Sequence, residues 1–277
     1  MREVTLPGGE TVPALGQGTW FMGEHPDRLK REIDSIRLGV DLGMTLVDTA
    51  EMYGDGGAEE MLGEALRGIR EKVFLVSKFY PQNASRSRVR AACERSLERL
   101  NTDVIDLYLL HWRGGTPFEE TVEACERLKA EGKIRHWGVS NFDTDDMEEL
   151  LDVTDGENCA VDQVLYNLTR RGPEYDLLPF LSENSVPVMA YSPIEQGRLP
   201  TSGALGEIAR KHNVSPFAVA LAWVLRDPNV IAIPKASHAE HVRANRAAAD
   251  LVLDADDFAA LEREFPAPRR KRPLEML

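Results

Sequence analysis

Short apolar runs alternate with amphipathic segments along the whole of this chain. The runs are continuous more often than alternating, which is typical of parallel strands that are buried on both faces. The eight predicted strands are Leu15–Gly18, Thr45–Val47, Val73–Ser77, Ile105–Leu110, His136–Val139, Val161–Val164, Val188–Ala190 and Val230–Ile233. Eight β-then-α units in one chain predict an α/β protein with a closed (β/α)8 barrel, the TIM barrel.

Helix signals support the segments between the strands. Ser215 and Pro216 supply an N-cap and a first-turn proline for a helix over Phe217–Leu225. Gly132 follows Glu131 as a helix stop. One predicted helical face, at i, i+3 and i+4 spacing, consists of Val89, Ala92, Cys93, Ser96, Leu97 and Leu100.

The chain length fits one barrel. A chain of 277 residues is close to the about 250 that such a barrel needs, and no linker divides it, so we expect a single domain over residues 1–277. The turn Pro7-Gly8-Gly9-Glu10 predicts an N-terminal β-hairpin that plugs the barrel bottom. The alternative is a doubly wound open sheet, but Gly16-Gln17-Gly18 lacks the third glycine of its fingerprint.

Charge and composition restrict the partners. A net charge of −13 repels nucleic acid and anionic membranes. No apolar run approaches the roughly 20 residues of a membrane span, and the N-terminus has no apolar signal region. Cys93 and Cys125 suit helix packing and Cys159 a loop, and this wide spacing fits a reducing cytoplasm. We expect a cytoplasmic monomer that acts on a small molecule and holds no metal, because no cluster has metal-ligand spacing.

Polar residues follow the ends of nearly all the predicted strands. In a (β/α)8 barrel these carboxyl ends meet at one rim, where the active site is built. The residues are Asp48, Lys78, His111, Ser140, Asn141, Gln163, Tyr191, Ser192 and Lys235. Each alone has a structural explanation, such as an N-cap or a solvated lysine. Their coincidence at one rim favours an active site there, whereas His25, His136, His212 and His238 lack such support.

Four of these groups indicate proton-transfer chemistry. Tyr53 lies in the loop after Asp48. A tyrosine has an ordinary pKa near 10, and we expect the ammonium of Lys78 to lower it by about 1–3 units. Asp48 would supply the counter-charge that a buried lysine needs. His111 can hydrogen-bond a substrate oxygen, so the set suits a carbonyl or an alcohol.

Motifs along most of the chain resemble those of the aldo-keto reductases. They are Asp48-Thr-Ala-Glu-Met-Tyr53, Leu75-Val-Ser-Lys78, Asp106-Leu-Tyr-Leu-Leu-His111-Trp112, Gly138-Val-Ser-Asn141, Tyr191-Ser192-Pro193 and Ile233-Pro234-Lys235. The stretches Asp48–Glu60, Lys133–Asn141 and Asp176–Pro193 are similar to bacterial methylglyoxal-reducing members. The resemblance implies a (β/α)8 barrel that reduces aldehydes and ketones to alcohols with a nicotinamide cofactor.

The resemblance also implies a role for each residue. Tyr53 would be the general acid, tuned by Lys78 and Asp48, and His111 would position the carbonyl. The implied cofactor residues are Ser140, Asn141 and Gln163 at the carboxamide, Tyr191 at the ring, the segment Ser192–Leu199 with Ser192, Pro193, Gly197 and Leu199 at the pyrophosphate, and Ile233, Lys235, Ser237, His241 and Asn245 toward the adenosine. His241 stands where many relatives place an arginine. Because neutral imidazole cannot bind a phosphate bidentately, we expect NADPH to be preferred only weakly, with NADH use possible.

Aromatic residues near the rim suggest the substrate. The expected pocket walls are Trp20, Phe21, Met52, Phe79, Tyr80 and Trp112. Apolar walls, together with a short tail after Phe265, favour methylglyoxal and aromatic aldehydes over acidic sugars or steroids. Arg113 is the one cation expected to be able to reach an anionic substrate. The alternatives are a Schiff-base aldolase that uses Lys78 as nucleophile and a non-catalytic nicotinamide-binding sensor.

Overall fold

The structure is a computed structural model that describes all residues, 1–277. The first two strands, β1 (Glu3–Thr5) and β2 (Thr11–Pro13), pair antiparallel as the predicted hairpin. The eight strands that follow are β3 (Gln17–Gly18), β4 (Leu46–Asp48), β5 (Phe74–Phe79), β6 (Ile105–Leu110), β7 (Ile134–Ser140), β8 (Cys159–Leu165), β9 (Val188–Tyr191) and β10 (Val230–Ala232). Cys159 therefore begins a buried strand, and its expected place in a loop was wrong.

The eight strands form one parallel sheet in sequence order. The sheet closes on itself between its last strand and the segment that leads into β3. The Gly16 amide donates to the carbonyl of Ala232 at 2.9 Å, and the Ala232 amide donates to that of Ala14 at 2.8 Å. The predicted (β/α)8 barrel is confirmed, and the open-sheet alternative is excluded.

Ten helices surround the barrel. They are α1 (Leu29–Asp41), α2 (Gly57–Ala65), α3 (Arg86–Leu100), α4 (Phe118–Ala130), α5 (Thr144–Leu151), α6 (Leu177–Glu183), α7 (Gly203–His212), α8 (Pro216–Val224), α9 (Ala239–Ala248) and α10 (Ala255–Glu264). Ser215 caps α8 as predicted, since its hydroxyl accepts a hydrogen bond of 3.1 Å from the Ala218 amide. None of the helices combines the length and apolar character that a membrane span requires.

The N-terminal hairpin covers one end of the barrel. Val4 and Val12 pack into the same apolar cluster as the inward-facing Leu46 and Leu107. Glu10 lies in the hairpin turn and pairs with Arg135 and His136 at the start of β7, each at 2.7–2.8 Å. The expected plug is therefore present, and the carboxyl ends of the strands are the open end of the barrel.

Candidate active site

Neighbouring strands place the four predicted catalytic residues at this open end. Asp48 is the last residue of β4, Lys78 lies on β5, and His111 follows β6 directly. Tyr53 begins a short 3-10 turn, Tyr53–Gly56, in the loop after β4. Because adjacent parallel strands run in register, side chains on β4, β5 and β6 converge on one point.

Lys78 is the centre of this cluster. Its ammonium donates three hydrogen bonds, to Asp48 Oδ2 at 2.8 Å, to the Thr49 carbonyl at 2.9 Å and to Tyr53 Oη at 3.2 Å. Lys78 is fully buried, and Asp48 is 2% exposed. A buried ammonium is stable only when paired and hydrogen-bonded, and here all three N–H groups have partners.

Burial sets the protonation of Tyr53. The loss of water, together with the nearby Asp48 carboxylate, raises the pKa of Tyr53 well above its ordinary value of 10. The expectation that Lys78 lowers this pKa was wrong, because Asp48 lies 2.8 Å from the ammonium and offsets its charge. Tyr53 therefore keeps its proton at neutral pH and has it available to donate.

His111 stands beside Tyr53 as a neutral imidazole. The two ring centroids lie 5.9 Å apart at an edge-on angle of 76°. Burial and the charge of Lys78 lower the pKa of His111 to about 2. Its Nδ1 atom is buried and has no hydrogen-bond partner in the protein. A buried polar atom without a partner is costly, and His111 itself is not part of the cavity lining.

Polar residues from the later strands extend the cluster around the rim. Gln163 Nε2 donates to Asp48 Oδ1 at 2.8 Å, and Ser140 Oγ donates to the Gln163 carbonyl at 2.8 Å. Asn141 has a left-handed backbone with φ of 60°, and its amide group donates to the His111 carbonyl at 3.1 Å. Tyr191 Oη then donates to Asn141 Oδ1 at 2.9 Å. The predicted carboxamide residues therefore form one hydrogen-bonded arc with the catalytic cluster.

A cavity of about 640 Å³ opens from this rim. Its lining includes Asp48 and Tyr53 from the predicted catalytic set, together with Lys235 and His241. The predicted cofactor and substrate residues that line it are Trp20, Phe21, Tyr191, Ser192, Pro193, Gly197, Ile233, Lys235, His241 and Asn245. The lining therefore combines aromatic and proton-donating side chains with the ammonium of Lys235.

Some predicted residues lie outside the lining, and some lining residues were not predicted. Leu199 is 4% exposed in the hydrophobic core, and Ser237 does not reach the cavity. Ser140, Asn141 and Gln163 have their polar groups in the arc. Ile194 and Gln196, in the predicted segment Ser192–Leu199, also line the cavity. The lining residues that sequence reasoning missed are Gly18, Thr19, Ser215, Phe217, Ala218, Pro234 and Ala244. The helix-start signal at Ser215 pointed to a helix terminus, but not to the cavity that it borders.

Aromatic side chains surround the catalytic end. Trp20 stacks on Phe21 at 4.6 Å and lies 6.4 Å from the Tyr53 ring. The ring centroids of Trp112 and His111 lie 4.9 Å apart. Tyr80 contacts the Trp112 ring edge-on, with 5.8 Å between the centroids. Of the predicted walls, Trp20 and Phe21 line the cavity, whereas Met52, Tyr80 and Trp112 are not part of its lining.

Two residues from the expected surroundings of the pocket are directed elsewhere. Phe79 was predicted as a wall, but it is fully buried and packs against Tyr108 at 4.9 Å, so that prediction was wrong. Arg113 pairs with Asp146 and Glu149, each at 2.7 Å, and its guanidinium lies over the Phe118 ring. Its charge is therefore held at α5 and not at the substrate position.

The similarity to known proteins agrees with this geometry. Residues 14–264 match the aldo/keto reductase family. The chain belongs to the aldo/keto reductase family. It is 52% identical over 279 residues to methylglyoxal reductase YeaE of Escherichia coli, across 99% of this chain and 98% of that protein. It is 33% identical to glyoxal reductase of Bacillus subtilis, across 94% and 91% of the two chains.

A solved aldo/keto reductase shares the whole fold. The enzyme from Klebsiella pneumoniae, in complex with NADP and acetate, superposes with a TM-score of 0.97 at 51% identity and covers 100% of this chain and 99% of that one. The resemblance drawn from the motifs is confirmed, including the similarity to bacterial methylglyoxal-reducing members of the aldo/keto reductases.

Proposed function

We propose that this aldo/keto reductase reduces methylglyoxal and related small aldehydes to alcohols with NADPH. The observation that carries the proposal is the contact of Lys78 with both Asp48 and Tyr53, two residues that line the cavity. The protein is an NADPH-dependent carbonyl reductase, as its family membership and its NADP-bound structural relative indicate.

The catalytic residues divide the work of proton transfer. When bound, the nicotinamide cofactor supplies the hydride. Tyr53 donates the proton to the carbonyl oxygen, since it is protonated at neutral pH and reaches the cavity. Once Tyr53 has given up its proton, Lys78 stabilises the resulting phenolate through its 3.2 Å contact with Tyr53 Oη. Asp48 keeps Lys78 charged, and the neutral His111 orients the carbonyl by a hydrogen bond.

The residues of the cavity suit a nicotinamide dinucleotide. Tyr191 contributes an aromatic ring to the lining, and Lys235 contributes an ammonium. Partial desolvation lowers the pKa of Lys235, with Arg28 and Arg31 acting in the same direction. We assign the nicotinamide to the Tyr191 end, the pyrophosphate to the loop Ser192–Gly197 and the 2′-phosphate to Lys235.

His241 lines the cavity with an imidazole where many relatives place an arginine. It is exposed, and its Nε2 lies 3.6 Å from a carboxylate oxygen of Glu240. A second imidazole, that of His238, lies 5.7 Å away between ring centroids. Since neither replaces a bidentate guanidinium, the preference for NADPH over NADH rests mainly on Lys235, and NADH is used as a weaker cofactor.

The substrate position favours small neutral carbonyl compounds. Trp20 and Phe21 line the cavity beside Tyr53, and the Tyr80–Trp112 pair lies next to His111. Arg113 is held by carboxylates of α5. Two similar bacterial proteins are a methylglyoxal reductase and a glyoxal reductase. We infer the same substrate class here, with aromatic aldehydes also accepted.

One assay tests the proposal against its alternatives. Purified protein is mixed with NADPH and methylglyoxal, and the loss of NADPH absorbance and the formation of the alcohol are measured together. Stoichiometric conversion supports the reductase, and no conversion of any aldehyde removes it. A Schiff-base aldolase needs a neutral, free lysine, whereas Lys78 is fully buried and paired with Asp48. Borohydride trapping of a substrate adduct on Lys78 would favour the aldolase.

The cellular setting is also part of the proposal. Three free cysteines, Cys93, Cys125 and Cys159, are buried without forming disulfides, which is common in reducing compartments. We place the enzyme in the cytoplasm and propose that it acts as a monomer, because the catalytic groups all come from one chain.

A further inference from the structure

The loop after β9 has an unusual backbone. Ser192, Glu195 and Gln196 all have positive φ, at 47°, 48° and 54°. A residue with a Cβ atom adopts this left-handed conformation only at a cost in energy, so surrounding contacts must hold it there. Ser192, Pro193, Ile194, Gln196 and Gly197 line the cavity, but Glu195 does not. The loop therefore faces the cavity while its one carboxylate is turned away.

Two residues that follow β8 hold Glu195 in this position. Asn167 is fully buried, and its amide group donates to Glu195 Oε2 at 2.7 Å and to the Ser192 carbonyl at 2.9 Å. Arg170 donates to Glu195 Oε1 at 2.9 Å from Nη2 and at 3.3 Å from Nε. Arg170 also pairs with Glu275 in the C-terminal segment at 2.7 Å. One guanidinium thus joins the loop to the end of the chain.

The contact of Arg170 with Glu195 pairs the guanidinium with a negative charge. Glu195 is 8% exposed, and hydrogen bonds from Arg170 and Asn167 hold its pKa below the ordinary value although burial opposes this. The carboxylate is therefore ionised at neutral pH. The nearby Arg198 also favours the ionised form, but its guanidinium donates to Gln196 Oε1 within the loop. An unpaired carboxylate in this loop would repel an anion in the cavity.

We propose that Arg170 is a positioning residue for the cofactor, because it neutralises Glu195, holds it away from the cavity and so keeps the loop Ser192–Gly197 able to receive an anionic pyrophosphate. The inference rests on the cofactor placement proposed above. Arg170 does not line the cavity, so it acts through the loop. Its effect belongs to cofactor affinity and not to proton transfer.

The test measures the Kd for NADPH by quenching of protein fluorescence, with folding checked by thermal melting. Arg170→Gln leaves the Glu195 carboxylate without its main cation, and we expect the Kd to rise roughly tenfold or more. Arg170→Gln combined with Glu195→Gln removes the charge as well, so most of the affinity returns. Glu275→Gln is the matched control, since it removes only the exposed partner of Arg170 and leaves the Kd close to that of the wild type.

The kinetic readout separates positioning from catalysis. The KM for NADPH of Arg170→Gln should rise while kcat at saturating NADPH stays close to the wild-type value. A wild-type Kd in Arg170→Gln overturns the inference. So does a double variant as weak as Arg170→Gln, since the carboxylate would then not be the cause. If Arg170→Gln does not fold, Arg170→Lys replaces it: its smaller rise in Kd must disappear when Glu195→Gln is added, and persistence of the rise overturns the inference.

A variant at Lys235 tests whether the cofactor occupies this cavity as proposed. Lys235→Ala should raise the Kd for NADPH, and Glu195→Gln should not restore it. If Lys235→Ala binds NADPH like the wild type, the cofactor does not occupy this cavity as assigned, and both proposals fail together. If Lys235→Ala weakens binding and Arg170→Gln does not, the inference about Arg170 alone is wrong.

Discussion

Gln163 donates a hydrogen bond of 2.8 Å to Asp48 Oδ1, the oxygen that Lys78 leaves free. The contact joins β8 to β4 across the mouth of the barrel and engages both oxygens of the Asp48 carboxylate. The buried ion pair between Asp48 and Lys78 is thereby held in one geometry. The same amide side chain links the catalytic cluster to the arc of Ser140 and Asn141.

The ion pair has a testable effect on stability. Asp48→Leu leaves the ammonium of Lys78 buried without a counter-charge, and we expect the free energy of unfolding to fall by about 3–5 kcal/mol. The double variant Asp48→Leu/Lys78→Met replaces both charges by apolar groups and should regain a large part of the loss. Denaturant unfolding measures both. Equal instability of the single and double variants would contradict a buried charged pair.

The low pKa of His111 predicts its behaviour on acidification. Since burial and Lys78 lower this pKa to about 2, the imidazole stays neutral from pH 8 down to that value. In the unfolded chain the same imidazole has an ordinary pKa of about 6.5, so it binds a proton at a pH where the folded protein does not. His111 therefore lowers the free energy of unfolding as the pH falls below about 6.5. His111→Gln should remove this contribution, and unfolding curves at several pH values show it. An imidazole NMR signal of His111 that titrates near pH 6.5 would contradict the assignment.

We expect cofactor choice to depend on Lys235 and His241, which both line the cavity. Lys235→Ala should weaken NADPH binding by about 1–2 kcal/mol, or roughly five- to thirtyfold, because a partly exposed phosphate contact is lost. NADH lacks the 2′-phosphate, so its Kd should change little. His241→Arg adds a cation that can bind a phosphate bidentately to the lining of the same cavity, and it should shift the preference toward NADPH. Titrations with both cofactors measure the shift, and equal losses for the two in Lys235→Ala would show that the lysine does not read the 2′-phosphate.

The aromatic residues near Tyr53 and His111 predict the substrate class. We expect higher kcat/KM for methylglyoxal and benzaldehydes than for carboxylated sugars or steroid ketones, measured as a panel with NADPH. Arg113→Met should leave this order unchanged, since Arg113 is paired with Asp146 and Glu149. A clear preference for an acidic sugar that is lost in Arg113→Met would show that this guanidinium reaches the substrate.

Much of the fold and the rim could be predicted from local patterns. Parallel strands leave continuous apolar runs, and the barrel rule brings their carboxyl ends together, so Asp48, Lys78 and His111 could be placed near one another. Phe79 was wrongly predicted to line the pocket, although the alternation of side chains along a strand predicts the opposite face of the barrel. Adjacent residues of a strand face opposite sides, so with Lys78 inside the barrel, Phe79 packs outward against Tyr108.

Properties that depend on three-dimensional surroundings could not be predicted. The direction of the Tyr53 pKa shift depends on burial and on the distance from Asp48 to Lys78, and neither is visible in the sequence. The contact between Arg170 and Glu195 joins loops from two different strands, and no local motif indicates it. Phe217 lines the cavity because α8 packs against β10, which is also a result of tertiary packing.

The central claim is that Tyr53 donates the proton in NADPH-dependent carbonyl reduction. The most direct measurement is a stopped-flow single turnover of Tyr53→Phe with bound NADPH and saturating methylglyoxal, after the Kd for NADPH has been determined. The substitution removes only the hydroxyl, so we expect a wild-type Kd together with a rate of NADPH oxidation lower by at least about a thousandfold, near the upper part of what one proton donor contributes. A folded Tyr53→Phe protein that oxidises NADPH at the wild-type rate would contradict the mechanism.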